Sequence, residues 1–348
     1  MTTAPPTTPV RTFDERDPDM RSLVERHSGS DPASRRPNRY TRSIARSIQP
    51  LSSLPRAPVF VLGVHRSGTT WLSQSLARRG RCSPFAVRHL LSAVDRQRHT
   101  EQSATDRLIA AGVRTRPGDG LPVRASSSEE YGYLLALHTG SSRTTGRSVS
   151  LLRDAIAQLQ VEQPDHAPVL RNPWDYAATH KLARWFPDAR FVFVHRDPIA
   201  TVGSAVEMFQ SFWTEPHPYG VLMSPRYRRA WARAWQRHLF QGAARRPHWV
   251  GRLVAGGTVL AHRAHLTDAA SLDSARTIHV RYAELLRDPI QRVDELLHQL
   301  DIPADGAAPV AARTRPSTDR AWMQPICARL IRRTERYRLA RALDPTTE

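Results

Sequence analysis

The sequence predicts an α/β fold, a mostly parallel sheet covered by helices on both faces. Three observations carry that prediction. Val59–Leu62 reads VFVL, a short continuous apolar run that ends at Gly63, the pattern of a strand buried on both sides. Arg190–His195, RFVFVH, repeats the pattern further on. Helical periodicities fill the gaps, and strands alternating with helices build parallel sheets.

The elements follow in chain order. Residues 1–56 are rich in Arg, Ser, Pro and Thr with no sustained apolar face, so they read as a flexible extension. Short helical pieces are expected there around Met20–His27 and Tyr40–Ile48. Met1–Val10 lacks the apolar stretch of a secretory signal, and the expected address is the cytoplasm. The ordered domain opens at Pro58 and is expected to span 57–305. After VFVL, Trp71–Arg79 reads as a helix and Pro84–Val87 as a weaker second strand. Pro168–Leu170 supplies a third strand and Trp174–Phe186 a helix. Beyond RFVFVH come a helix at Ile199–Phe212 and a fifth strand within Ser274–Val280. Pro289–Leu300 places Ile290, Val293, Leu296, Leu297 and Leu300 on one helical face, with Asp288 as N-cap and Pro289 at the first position. Residues 306–348 read as a basic loop and helix.

Composition narrows the function classes. The chain has 348 residues, 40% of them hydrophobic, enough for a proper core. The longest apolar candidate, Val250–Leu260, is broken by Arg252 and glycines, so no membrane span is expected. Cys82 and Cys327 are too few and too far apart for a metal site or a disulfide framework. Against 32 Asp+Glu stand 51 Lys+Arg, a net charge of +19, and Lys181 is the only lysine. Always-charged, planar guanidiniums suit phosphate and sulfate partners.

Gly63–Trp71 reads GVHRSGTTW between a buried strand and a helix. This is G-x-x-x-x-G followed by Thr69 and Thr70, a P-loop without its lysine, and it makes the expected sheet P-loop-type. Gly63 and Gly68 let successive N–H groups face inward, and the helix N-terminus adds partial positive charge. Thr69 stands where ATP- and GTP-using loops carry lysine, and the cation has moved upstream to Arg66. A ligand whose 5' end differs from a triphosphate is implied. A second anion site is expected where RFVFVH runs into Arg196-Asp197-Pro198, at the sheet edge where open α/β folds bind ligands. Ser204, two turns into the next helix, can join Arg196 in a phosphate clamp. An Arg196–Asp197 pair at the strand end is the alternative.

Together, GVHRSGTTW and the later VHRDP…S resemble the 5'-phosphosulfate loop and 3'-phosphate motif of sulfotransferases that use 3'-phosphoadenosine-5'-phosphosulfate (PAPS). The likeness is to the bacterial and protein-tyrosine branch, in which arginine replaces the first-loop lysine. Leu170–Pro198 and His279–Pro289 are similar to two further segments of that family, so the resemblance covers about residues 57–300. It implies that Arg66, Ser67, Gly68, Thr69 and Thr70 hold the 5'-phosphosulfate. Arg196 and Ser204 would hold the 3'-phosphate, and Tyr282 would lie near the adenine. The family's Glu after that tyrosine is Ala283 here, and Arg171-Asn172-Pro173 stands where the cytosolic branch carries Lys-x-His.

On this reading Arg66 covers the leaving oxygen and an acceptor hydroxyl needs a base. His89 occupies the region where the branch places its base and is the first expectation, with Glu129 and Glu130 as runners-up. His65 and Asp175 are taken as structural. Tyr227, Trp231 and Trp235, interleaved with Arg228, Arg229 and Arg233, read as an amphipathic helix with its rings inward. Arg313–Pro316 reads as a solvated stretch or, alternatively, as a loop offering cations to the nucleotide's 3' end. The expected partner is a small-molecule or carbohydrate acceptor, with no specific nucleic acid. Two rivals remain: a P-loop kinase or nucleotide-binding protein, and a basic nucleic-acid-binding protein. The absent lysine and the lack of an acidic Mg²⁺ ligand at a strand end weigh against the first.

Overall fold

Each apolar run becomes a strand because its alternate side chains find cover on opposite faces. In the computed structural model, β1 is Val59–Leu62, β2 Cys82–Pro84, β3 Ala167–Arg171, β4 Arg190–His195 and β5 Thr277–Arg281. Residues 56–310 are described, apart from positions 96, 98, 119, 270 and 271, together with 325, 328 and 332. The expected pieces at 20–27 and 40–48 and Arg313–Pro316 lie outside the described residues, as does the expected C-terminal helix apart from positions 325, 328 and 332, which are helical.

The sheet is parallel throughout, in the order β2-β3-β1-β4-β5. Phe60, Leu62, Leu170, Phe191 and Phe193 pack into one buried cluster. Val59, Val61, Val169, Val192 and Val194 pack into another, with Leu72, Leu76, Leu296 and Leu297. The period-2 alternation of the strands thus feeds two cores, one on each face. From β1 the chain turns to β2 and β3 on one side, then crosses to β4 and β5 on the other. The loops leaving β1 and β4 therefore diverge and open a crevice at the carboxyl edge of the sheet.

Helix α1, Thr69–Arg79, follows β1. The second strand is displaced from its expected position: β2 ends at Pro84, and Val87–Asp95 is a helix, α2. Val87, Leu90 and Leu91 recur at helical spacing and are fully buried, which outweighs the apolar run that suggested a strand. Three helices the sequence reading left undrawn connect β2 to β3: α3 Glu101–Ala110, α4 Tyr131–Thr139 and α5 Val149–Glu162.

The expected helix Trp174–Phe186 is split into a 3-10 turn, Pro173–Ala178, and α6, Thr179–Trp185. Buried Asp175 pins the turn by accepting from Tyr131 Oη (2.7 Å), Asn172 Nδ2 (2.9 Å) and both Thr144 N (2.8 Å) and Oγ1 (2.6 Å). After β4 comes α7, Pro198–Trp213, capped by Asp197 Oδ1 accepting from Ala200 N at 2.7 Å.

Four helices lead on to β5: α8 Pro218–Met223, α9 Pro225–Ala232, α10 Ala234–Ala244 and α11 Pro247–Ala269. The aromatic–arginine helix of the sequence reading is broken at Arg233, where the backbone is extended. Tyr227 and Trp231 turn inward while Trp235 is exposed. Tyr282–Arg287 forms α12 and Pro289–Gln299 forms α13, the latter capped by Asp288 Oδ1 accepting from Gln291 N. No helix among the described residues is long and apolar enough to cross a membrane, and none of their His, Cys, Asp and Glu clusters could hold a metal ion. The buried Cys82 thiol is pushed up to about 12 by burial.

Candidate active site

The loop after β1 is built by close backbone approach. A Cβ on Gly63 would lie 2.3 Å from Ser67 Oγ and 2.8 Å from the Val194 carbonyl, so only glycine fits. Two residues take left-handed conformations, Gly68 at φ 105 and, without a glycine's freedom, Arg66 at φ 72. They curl the chain into the start of α1, which has no side-chain cap. The first N–H groups of a helix have no partner within it. Ser67 is fully buried, and its Oγ has no hydrogen-bond partner. An uncapped helix start beside an orphaned buried hydroxyl is a cradle for a tetrahedral anion.

The second expected site meets the first directly. Arg66 Nε donates to Ser204 Oγ at 3.0 Å, and Arg196 Nη1 donates to the Arg66 carbonyl at 2.7 Å. The Arg196 guanidinium lies 4.9 Å from the centre of the Tyr282 ring. That ring also packs on the loop: a Cβ on Gly68 would lie 2.3 Å from its Cδ2. Arg66, Gly68, Arg196, Ser204 and Tyr282, drawn from four parts of the sequence, thus form one cluster. Thr69 is buried at the helix start and Thr70 Oγ1 accepts from Arg116 Nη1 at 3.2 Å. Asp197 serves as the α7 cap described above.

His89 has other residues as its hydrogen-bond partners. It sits on α2, where Nδ1 accepts from Ala86 N at 2.8 Å and Nε2 is 3.1 Å from Glu162 Oε2. Burial lowers its pKa, only partly offset by Glu162. Glu162 belongs to the last turn of α5, whose Gln160 reaches the Arg56 carbonyl. Both ring nitrogens of His89 thus have partners within the fold.

The two runner-up carboxylates differ sharply. Glu129 is buried, with its side chain 1% exposed, and is bound by Arg116 Nη2 (2.9 Å) and Arg171 Nη2 (3.2 Å). Tyr219 Oη also donates to it. Arg116 and Arg171 both reach the Ser128 carbonyl, and Ser128 Oγ pairs with Ser73 Oγ on α1 at 2.8 Å. Glu129 therefore fixes two arginines behind the loop.

Glu130 pairs with Arg171 Nη1 at 3.0 Å, and its side chain is 17% exposed. Burial opposes its ionisation, but Arg171, then His65 and Arg116, outweigh that and hold it below the usual carboxylate range. His65 stacks edge-on against Trp174 at 4.2 Å, and burial lowers its pKa.

Sequence reasoning missed Arg116, Arg171 and Tyr219. Arg171 carries a signal it could have used, being a charge at the end of a buried strand just as Arg196 is. Arg116 and Tyr219 lie in no motif.

Against known proteins, the model of the Sulfotransferase family matches residues 58–306. Sulfotransferase STF1 from Mycobacterium tuberculosis H37Rv is a similar solved structure, with 16% identity, 76% of this chain and 72% of that chain covered, and a TM-score of 0.48. Sulfotransferase STF9 from Mycobacterium avium shows 17% identity over 94% of this chain and 98% of that one, with a TM-score of 0.49. No curated protein matches the sequence.

The buried carboxylate yields a stability prediction. Glu129→Gln leaves two buried arginines undercompensated and should cost about 3–5 kcal/mol in urea unfolding. Tyr219→Phe, which removes one donor, should cost about 1–3 kcal/mol. A Glu129→Gln loss no larger than that of Tyr219→Phe contradicts the assigned role.

Proposed function

The chain belongs to the sulfotransferase family, and from that premise we propose that it moves a sulfuryl group from PAPS to a hydroxyl of a small-molecule or carbohydrate acceptor. The observation that carries the proposal is the meeting of the Arg196–Ser204 pair with the loop at Arg66. A ligand with charge at both its 5' and 3' ends suits two cation sites that share a residue. The orphaned Ser67 hydroxyl and the uncapped helix start fit a sulfate or phosphate group.

Ser67, Gly68, Thr69 and Thr70 hold the 5'-phosphosulfate through the helix start and its hydroxyls. Arg66 neutralises the charge that gathers on the leaving oxygen. Arg196 and Ser204 hold the 3'-phosphate, and Tyr282 lies against the adenine. The donor supplies an activated S–O bond, which breaks as the acceptor oxygen bonds to sulfur and leaves adenosine 3',5'-bisphosphate (PAP).

Glu130 takes the acceptor's proton. It keeps partial exposure, and its neighbours favour the ionised form that a base requires. Arg116 and Arg171 hold this wall of the site in place through Glu129.

PAP should raise the melting temperature without magnesium, and ATP should not compete effectively for it. Arg196→Ala should weaken PAP binding by roughly 1.5–3 kcal/mol, whereas Arg66→Ala should chiefly lower kcat. Stabilisation by ATP with magnesium and none by PAP overturns the donor assignment.

Glu130→Gln should lower kcat about 10²–10⁴-fold with a smaller change in KM. Because a base works only when ionised and this carboxyl is held low, kcat/KM should fall only below the ordinary carboxylate value of about 4.3. An acid limb between about pH 5 and 6.5 that disappears in His89→Asn would restore His89 instead.

A further inference from the structure

The stretch that links β4's helix to β5 has an unusual charge pattern. From Pro216 to Thr267 it carries nine arginines and no Asp or Glu. The same stretch holds most of the large apolar side chains that stand uncovered among the described residues. Trp235 is 64% exposed, Leu239 60%, Trp249 65%, Leu253 75% and Leu260 66%.

The pattern on α11 is ordered. At about 100° per residue, Trp249, Leu253 and Leu260 fall within about 40° of one another. Val250 and Ala255, on the other side of the helix, pack with Val202 and Val206 of α7. The apolar stripe therefore faces away from the core by construction, not by fraying. Gly256 and Gly257, between Leu253 and Leu260, look onto open space and keep the stripe shallow.

Exposed Arg252 and Arg263 flank the stripe, and exposed Arg245 and Arg246 join α10 to α11. Trp235 and Leu239 repeat the arrangement one turn apart on α10. A soluble surface gains nothing from five bare apolar groups, and such patches mark docking sites.

The chemistry selects one partner class. Tryptophan belongs at the boundary between headgroup and acyl chain, leucine just below it, and arginine on lipid phosphates. The two tryptophans offer stacking surface for bases, but the three leucines beside them do not and are covered only by an apolar phase. A second copy applied face to face would set arginines against arginines, with no carboxylate in the segment to pair them.

We infer that the outward face of α10 and α11 docks on an anionic membrane surface, lying on it without crossing it. The arginines supply long-range attraction and the tryptophans and leucines the anchoring. This inference is independent of the proposed reaction.

The test uses the full chain and vesicles of phosphatidylcholine alone or mixed with phosphatidylglycerol, read by co-sedimentation. The wild-type chain should partition onto the mixed vesicles and not onto phosphatidylcholine alone. Trp249→Ala/Leu253→Ala changes no charge and alters only exposed positions, so its melting temperature should be unchanged. Its partition should nevertheless drop at least about tenfold.

Equal binding by wild type and variant means that net charge alone is responsible and overturns the inference. So does an absence of binding to the mixed vesicles. Lipid-free dimerisation that the double variant abolishes, or tighter binding to RNA than to the mixed vesicles, likewise assigns the face to another partner and overturns it.

Discussion

The site depends on one strained residue. Arg66 holds a left-handed backbone that costs a non-glycine residue about 1–3 kcal/mol. Two contacts from the far side of the crevice accompany it: Arg196 donates to its carbonyl, and Ser204 accepts from its guanidinium. The parallel sheet makes this geometry available, since β1 and β4 are neighbours and both end at the same edge. Strain at the loop and cations at the clamp are thus parts of a single arrangement. Its charge excess has a natural counterpart in a ligand bearing anions at two ends.

Behind the loop a second layer keeps that arrangement from relaxing. Glu129 binds two arginines, one of which reaches Thr70 in the loop itself. Ser128 ties the same layer to α1 through Ser73. Buried ion pairs are weak as sources of stability but strong as constraints, because losing one partner strands the other. Tyr219 extends the layer to the long excursion between β4 and β5. On the far side of β4, His195 Nε2 lies 2.9 Å from His279 Nδ1, tying the strand end that carries Arg196 to β5.

Much of the fold was legible in the sequence because buried parallel strands leave unbroken apolar runs. Val59–Leu62 and Arg190–His195 coincide with β1 and β4. The PFAV stretch misled because an apolar run of four residues looks the same entering a helix as inside a strand, and Val87 turned out to start α2. The loop and clamp were legible because their chemistry is local: glycines, hydroxyls and an arginine at fixed spacing. Glu129, Arg116 and Tyr219 act through contacts between residues far apart in sequence, so no spacing marks them. The partners of His89, Ala86 and Glu162, likewise come from the fold and are not marked in the sequence.

The coupling of loop and clamp is tested most directly by a double-mutant cycle on PAP affinity, measured by calorimetry with wild type, Arg66→Ala, Ser204→Ala and the double variant, since these two side chains bond each other. If the two side chains serve one ligand through their shared hydrogen bond, the losses should depart from additivity by about 0.5–3 kcal/mol. Strictly additive losses, or an affinity indifferent to both substitutions, would mean that the two sites do not act together.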